Sequence, residues 1–170
     1  MTDAAWTRLR RADRAMRDPD DIEALLRRGR FGYTATTSGD QPFLHPTTFW
    51  YDQKARRIYF HGARQGRTLQ NVTQNPRVCF GVAEMGRMLP AESACAFSLE
   101  YASVSVFGRV RLVEEEAEKR HGLQGLLDKY FPELQPVKDY SPITEAQLSG
   151  TTVYAIEVET WSGKQKVAPA

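Results

Sequence analysis

An apolar strand-like run, Ile58-Tyr59-Phe60-His61, enters a small glycine-bearing loop, Gly62-Ala63-Arg64-Gln65-Gly66, and continues directly into a helix-like segment, Arg67-Thr68-Leu69-Gln70-Asn71, closed by Asn75-Pro76. This junction constrains the chain more than any other stretch. Backbone N–H groups, a helix N-terminus and two arginines meet where the strand ends, and together they can hold one phosphate. The glycines let the backbone approach a ligand that side chains would keep away. By itself the same loop also reads as a turn with solvated arginines.

Short strands dominate the rest. Phe31, Tyr33 and Ala35 alternate with small or polar residues up to the turn signal Ser38-Gly39-Asp40. A second strand is predicted over 42–51, a third over 57–61 and a fourth over 78–83. The clearest alternation sets Val104, Val106, Val110 and Leu112 against Ser103, Ser105, Arg109 and Arg111, with Gly108 marking a bulge or bend. A last strand is predicted over 153–160. Residues 86–94 read as a loop, and 162–170 as a tail or arm.

Helices are few. Asp18 can cap a helix that begins at Pro19, carries Asp20 and Asp21 in its first turn, and ends at Gly29. A second helix is predicted over 67–74. A third, over 114–131, places Leu123, Leu126, Leu127 and Tyr130 at helical spacing. The segment 132–150 is ambiguous. About six short strands broken by two or three helices argue for a small, largely antiparallel barrel, mostly β with flanking helices.

With 170 residues, 41% hydrophobic and 26% charged, the chain suits one globular domain. We read 1–18 as a basic N-terminal arm, 19–166 as the folded domain and 167–170 as a tail. No apolar run approaches the roughly 20 residues of a membrane span, and the N-terminus lacks an apolar signal core, so a cytoplasmic protein without a membrane partner is expected. A net charge of +2 gives no reason to expect a nucleic-acid partner. The run Arg8, Arg10, Arg11, Arg14 and Arg17 could contact nucleic acid or an acidic partner, or simply be solvated. Cys79 and Cys95 are far apart, and no ligand cluster for a metal is present in the sequence.

The ordered set of motifs resembles the FMN-binding split-barrel superfamily typified by pyridoxamine 5'-phosphate oxidases, and within it the nitroimidazole-resistance (Nim-type) reductase branch. The matching residues are His45-Pro46-Thr47-Thr48-Phe49, the junction from Ile58 to Asn71, Asn75-Pro76-Arg77-Val78-Cys79-Phe80, Ser103-Val104 leading to Gly108-Arg109-Val110-Arg111-Leu112, and Gly163-Lys164. The resemblance covers about residues 19–166. It implies a split β-barrel homodimer with two FMN sites at the subunit interface. It further implies that His45, Pro46, Thr47 and Thr48 lie along the flavin ring, that His61, Gly62 and Ala63 line the cofactor, and that Arg67 and Thr68 hold its phosphate. The family often has lysine where this chain has Thr68, which leaves Arg64 as a second cation.

Beside the resemblance, several residues keep two readings. His61 could meet substrate or pass a proton, or be a hydrogen-bonded structural residue. His45 should share a face with Thr47 and oppose Pro46. His121, in the third helix, is expected to be exposed. Ser103 and Ser105 could reach a cofactor across a dimer or line a solvated face. Trp161 could cover a flavin or pack over the barrel mouth, and Tyr101 is similarly open.

The expectation is an FMN-dependent oxidoreductase that uses a reduced electron donor on a small flat organic substrate, a nitroimidazole-type compound leading, with His61 as the catalytic candidate. Because a flavin carries the redox chemistry, a hydrolytic triad is not required. The alternatives are a haem- or deazaflavin-binding split barrel, with His61 or His45 as axial ligand, and a non-catalytic flavin-binding sensor or storage protein.

Overall fold

The computed structural model describes residues 7–168. Seven strands form one antiparallel sheet: β1 (Gly32–Ser38), β2 (Gln41–Thr47), β3 (Trp50–Asp52), β4 (Arg57–Gly62), β5 (Arg77–Leu89), β6 (Ser98–Leu112) and β7 (Thr152–Lys166). Their order is β2-β1-β5-β6-β7-β4-β3, so the sheet curls without closing and leaves β2 and β3 as edges. Among the described residues four α-helices accompany it: α1 (Pro19–Arg28), α2 (Arg67–Gln74), α3 (Glu116–Tyr130) and α4 (Glu145–Gly150). This is the mostly β, split-barrel architecture with flanking helices that the sequence implies.

Local signals set the helix ends. The Asp18 side chain accepts from the Asp20 N–H, Pro19 opens α1, and Gly29 follows its last residue. Ile22, Leu25 and Leu26 face the main core, where Phe49, Phe60, Phe80, Val104, Val106 and Ile156 meet them. A second cluster, Tyr59, Val113, Val153 and Ala155 with Trp50 and Leu123, lies beneath α3. Gly125 permits that approach, because a Cβ there would fall 2.2 Å from the Trp50 indole.

Three strand predictions change. The run 42–51 divides into β2 and β3, which lie at opposite edges. Between them Phe49 leaves the ladder, and its N–H donates to the Tyr130 hydroxyl at 3.1 Å. β5 continues through Gly86 to Leu89, because β6 extends alongside it past a register shift. The supposed tail is strand as far as Lys166, since Trp161–Lys166 pairs with Tyr101–Val106 of β6. On its other side this end of β7 meets the arm: Ala15 bridges Lys164, and the Met16 N–H donates to the Gly163 carbonyl at 2.9 Å. Gly108 does mark a bulge, with the β6–β7 register shifting between Phe107 and Gly108. Residues 1–6 and 169–170, the ends of the predicted arm and tail, lie outside the described residues. No helix among the described residues is long and apolar enough to cross a membrane.

Candidate functional site

The strand–loop–helix junction forms one wall of a cavity of about 230 Å³ lined by His45, Gly62, Ala63, Gln65, Gly66, Arg67, Thr68, Leu69 and Tyr154. β4 brings Phe60 beneath it, stacked on Tyr154 with ring centres 4.6 Å apart and planes 6° from parallel. The His45 ring meets Phe60 edge-on at 6.1 Å. Gly66 then turns the chain into α2 at φ +130°, a conformation that L side chains rarely adopt. No side chain caps α2, so the amides of its first turn face the cavity end without a side-chain acceptor. The Arg67 guanidinium carbon stands 5.5 Å from the centre of the Phe43 ring, which steadies a cation that is otherwise exposed.

Two polar atoms on this inner face are buried without a hydrogen-bond partner, Nδ1 of His45 and Oγ1 of Thr34. They belong to cross-strand neighbours, since Thr34 pairs with His45. Each unmet group costs about 1–3 kcal/mol, so both call for a polar partner from a water or a ligand. Burial lowers the His45 pKa from 6.5, which keeps the imidazole neutral at pH 7.

The structure brings together His45, Gly62, Ala63, Arg67 and Thr68 and separates the other candidates. Thr47 shares the His45 face and donates its hydroxyl to the Thr48 carbonyl at 3.0 Å, while Pro46 is exposed on the opposite face beside Tyr33. Arg64 is exposed in the loop and does not line the cavity. His61 is also outside it. It alternates in phase with Tyr59, which packs under α3, whereas Phe60 and Gly62 face the other way. Desolvation lowers its pKa as well.

Ser103 pairs with Lys164, and Trp161 pairs with Val106. Those positions alternate, so Ser103 faces outward while Trp161 packs against the main core beneath the Arg56 guanidinium, 4.4 Å from its ring centre. His121 is exposed as expected but not unpartnered, because its Nε2 lies 2.8 Å from Asp52 Oδ2. Cys79 is half-buried, and burial raises its pKa, as suits an unreactive thiol.

Sequence reading missed Tyr154, Thr34, Phe43, Gln65 and Leu69. Thr34 and Phe43 were accessible from strand phase alone. Tyr154 was not, because its place follows from the β4–β7 register.

A family model described as pyridoxamine 5'-phosphate oxidase matches residues 18–165. The chain belongs to the pyridoxamine 5'-phosphate oxidase family. Solved structures agree on the fold of this family member. The flavocytochrome Anf3 from Azotobacter vinelandii superposes with a TM-score of 0.82 at 24% identity, over 98% of this chain and 76% of that one. A candidate 5-nitroimidazole antibiotic resistance protein from Bacteroides thetaiotaomicron gives 0.75 at 21% identity, over 89% of this chain and 86% of that one. An FAD- and heme-binding protein from Mycobacterium smegmatis gives 0.79 at 19% identity, over 91% and 74%. Comparison with curated proteins gives no match.

Proposed function

We propose that this family member binds a flavin nucleotide, FMN first among them, through its phosphate at the 62–68 junction, and acts as a flavin-dependent oxidoreductase on a small flat organic substrate. The observation that carries the reading is the unpartnered His45 Nδ1 in the same cavity as the uncapped first turn of α2 and Arg67. A phosphate dianion matches the free amides and the guanidinium fork. Thr68 adds a hydroxyl, and Arg64 supplies a second cation from the loop. A polar edge of the flavin, or a hydroxyl of its sugar chain, matches the lone imidazole nitrogen.

A bound flavin supplies hydride or electron transfer, and the protein holds and orients it. Tyr154 and Phe60 form a flat apolar wall that excludes water. His45, neutral at pH 7, offers one hydrogen bond without placing a charge beside the ring. His45 is therefore the imidazole we assign to the cavity, in preference to His61. A nitroaromatic of the 5-nitroimidazole kind is the leading substrate class, supported by the similarity to the Bacteroides protein. A reduced electron donor completes the turnover.

We further assign a homodimer. The cavity of about 230 Å³ falls below the about 300–1,000 Å³ of complete ligand sites, so a whole flavin needs another wall. The outward face of β1 and β2 exposes Tyr33 (44%) and Leu44 (56%) beside Ala35, an apolar surface that a second copy would cover. The cytoplasm is the setting we assign, and it suits two free cysteines.

A haem reading has one observation in its favour, an imidazole with a buried, unpartnered ring nitrogen beside Phe60. The visible spectrum of the purified protein separates the two. Flavin bands support the proposal. A Soret band without flavin overturns it in favour of haem, and failure to take up added flavin overturns it outright.

A further inference from the structure

A separate cavity of about 280 Å³ lies where the N-terminal arm folds against the far end of β6 and β7, walled by Leu9, Arg10, Arg11, Arg14, Tyr101 and Lys164. The arm is fastened at this point by the Ala15–Lys164 bridge, by the Met16–Gly163 hydrogen bond and by Met16 itself, 7% exposed in the core. Arg14 Nη1 donates to the Tyr101 hydroxyl at 3.3 Å, and Lys164 Nζ stands 5.6 Å from the Tyr101 ring centre. The cations are thus held against one concave wall.

Among the described residues their counter-charge is incomplete. Asp13 is the carboxylate at hand, and Arg11 takes both of its oxygens at 2.9 and 2.7 Å, with Arg14 no nearer than 4.0 Å. Glu100, beside Tyr101 in sequence, is engaged by Arg87 and by the Ala168 N–H. Among the described residues, Arg10 and Lys164 form no salt bridge. The basic cavity between α1 and α3 differs, because there Glu84 binds Arg28, Glu23 lies near Arg27, and Lys129 donates to a helix-end carbonyl. Four cations facing one carboxylate leave a net positive cavity, which attracts a multiply charged anion. Guanidiniums favour phosphoryl oxygens because two parallel donors fit them.

We propose that this arm-walled cavity binds the diphosphate of a nucleotide. Arg14 and Lys164 contact the phosphoryl oxygens, Arg10 adds long-range attraction, and the Tyr101 hydroxyl orients Arg14. A single carboxylate would leave most of the positive charge unanswered. Lys164 pairs with Ser103 on the outward face of the sheet. The source that fits is a reduced pyridine dinucleotide donor, whose diphosphate is independent of the flavin phosphate placed at the 62–68 junction. Only the identity of that nucleotide as an electron donor rests on the flavin reading.

The test is calorimetric titration of pyrophosphate and of ADP into the full-length protein, with Lys164→Gln and Arg14→Gln/Lys164→Gln beside it and Arg87→Gln as a control. Saturable binding that weakens with added salt is expected, unchanged in the control and reduced about tenfold or more by Lys164→Gln. Thermal melts of each variant report folding. Lys164→Gln is also expected to raise the KM for reduced pyridine nucleotide and to keep kcat. Absence of pyrophosphate and ADP binding, or binding indifferent to folded Arg14→Gln/Lys164→Gln, overturns the proposal. Failure to take up flavin would leave pyrophosphate binding in place and so would count against the flavin reading alone.

Discussion

Lys129 carries its charge where the surroundings oppose it. Its Nζ sits 3.5 Å from the centre of the Phe49 ring and donates to the Leu26 carbonyl at 3.3 Å, and burial lowers its pKa from 10.5 to about 8. Between those values the unfolded chain binds more protons than the folded one, so this group makes stability rise with pH from about 8 toward 10.5. Denaturant midpoints measured from pH 8 to 9.5 should climb more steeply in wild type than in Lys129→Met, which lacks the titrating amine; parallel slopes would contradict the assigned burial. Nothing in the sequence marks Lys129 as unusual, because the ring it covers lies on the segment between two strands. His45 was more legible. Strand phase placed it with Thr47 and against Pro46, as observed. For His61, expected to line the cofactor or meet substrate, alternation turns the side chain to the α3 side, away from that of Phe60 and Gly62.

Elements whose ends depend on neighbouring residues were legible. The 67–74 helix and the helix opened by Asp18 and Pro19 match their predicted bounds, since caps and breakers act within one turn. Strand lengths were not legible, because β5, β6 and β7 extend one another through pairing between distant segments, and no local signal announces that Trp161–Lys166 will find Tyr101–Val106. The α3–sheet contact is equally non-local and gives a sharp prediction. Gly125→Ala would set a methyl 2.2 Å from the rigid Trp50 indole, and overpacking of about 1–3 kcal/mol should outweigh a helix-propensity gain of about 1 kcal/mol. Chemical denaturation should show a net loss of stability. A gain would mean that α3 stands farther from β3 and β4 than described.

For the whole molecule, motif order was the informative signal, since short strands alone do not distinguish an open split barrel from a closed one. The outward sheet face, read in sequence as an unassigned alternation, is the surface on which dimerisation and flavin affinity should fail together. Sedimentation of wild type should report two chains per particle. Ala35→Arg, which places a charge between Leu44 and Cys79 on the outward face, should give a folded single chain with weakened flavin binding. A monomeric wild type would contradict the dimer. The central claim, a flavin phosphate held at the strand–loop–helix junction, is tested most directly by fluorescence titration of FMN into wild type and Arg67→Ala. The account predicts saturable binding in wild type, weakened about 10–100-fold in the variant, as expected for loss of a charge-assisted contact. Equal affinity in two folded proteins would contradict it.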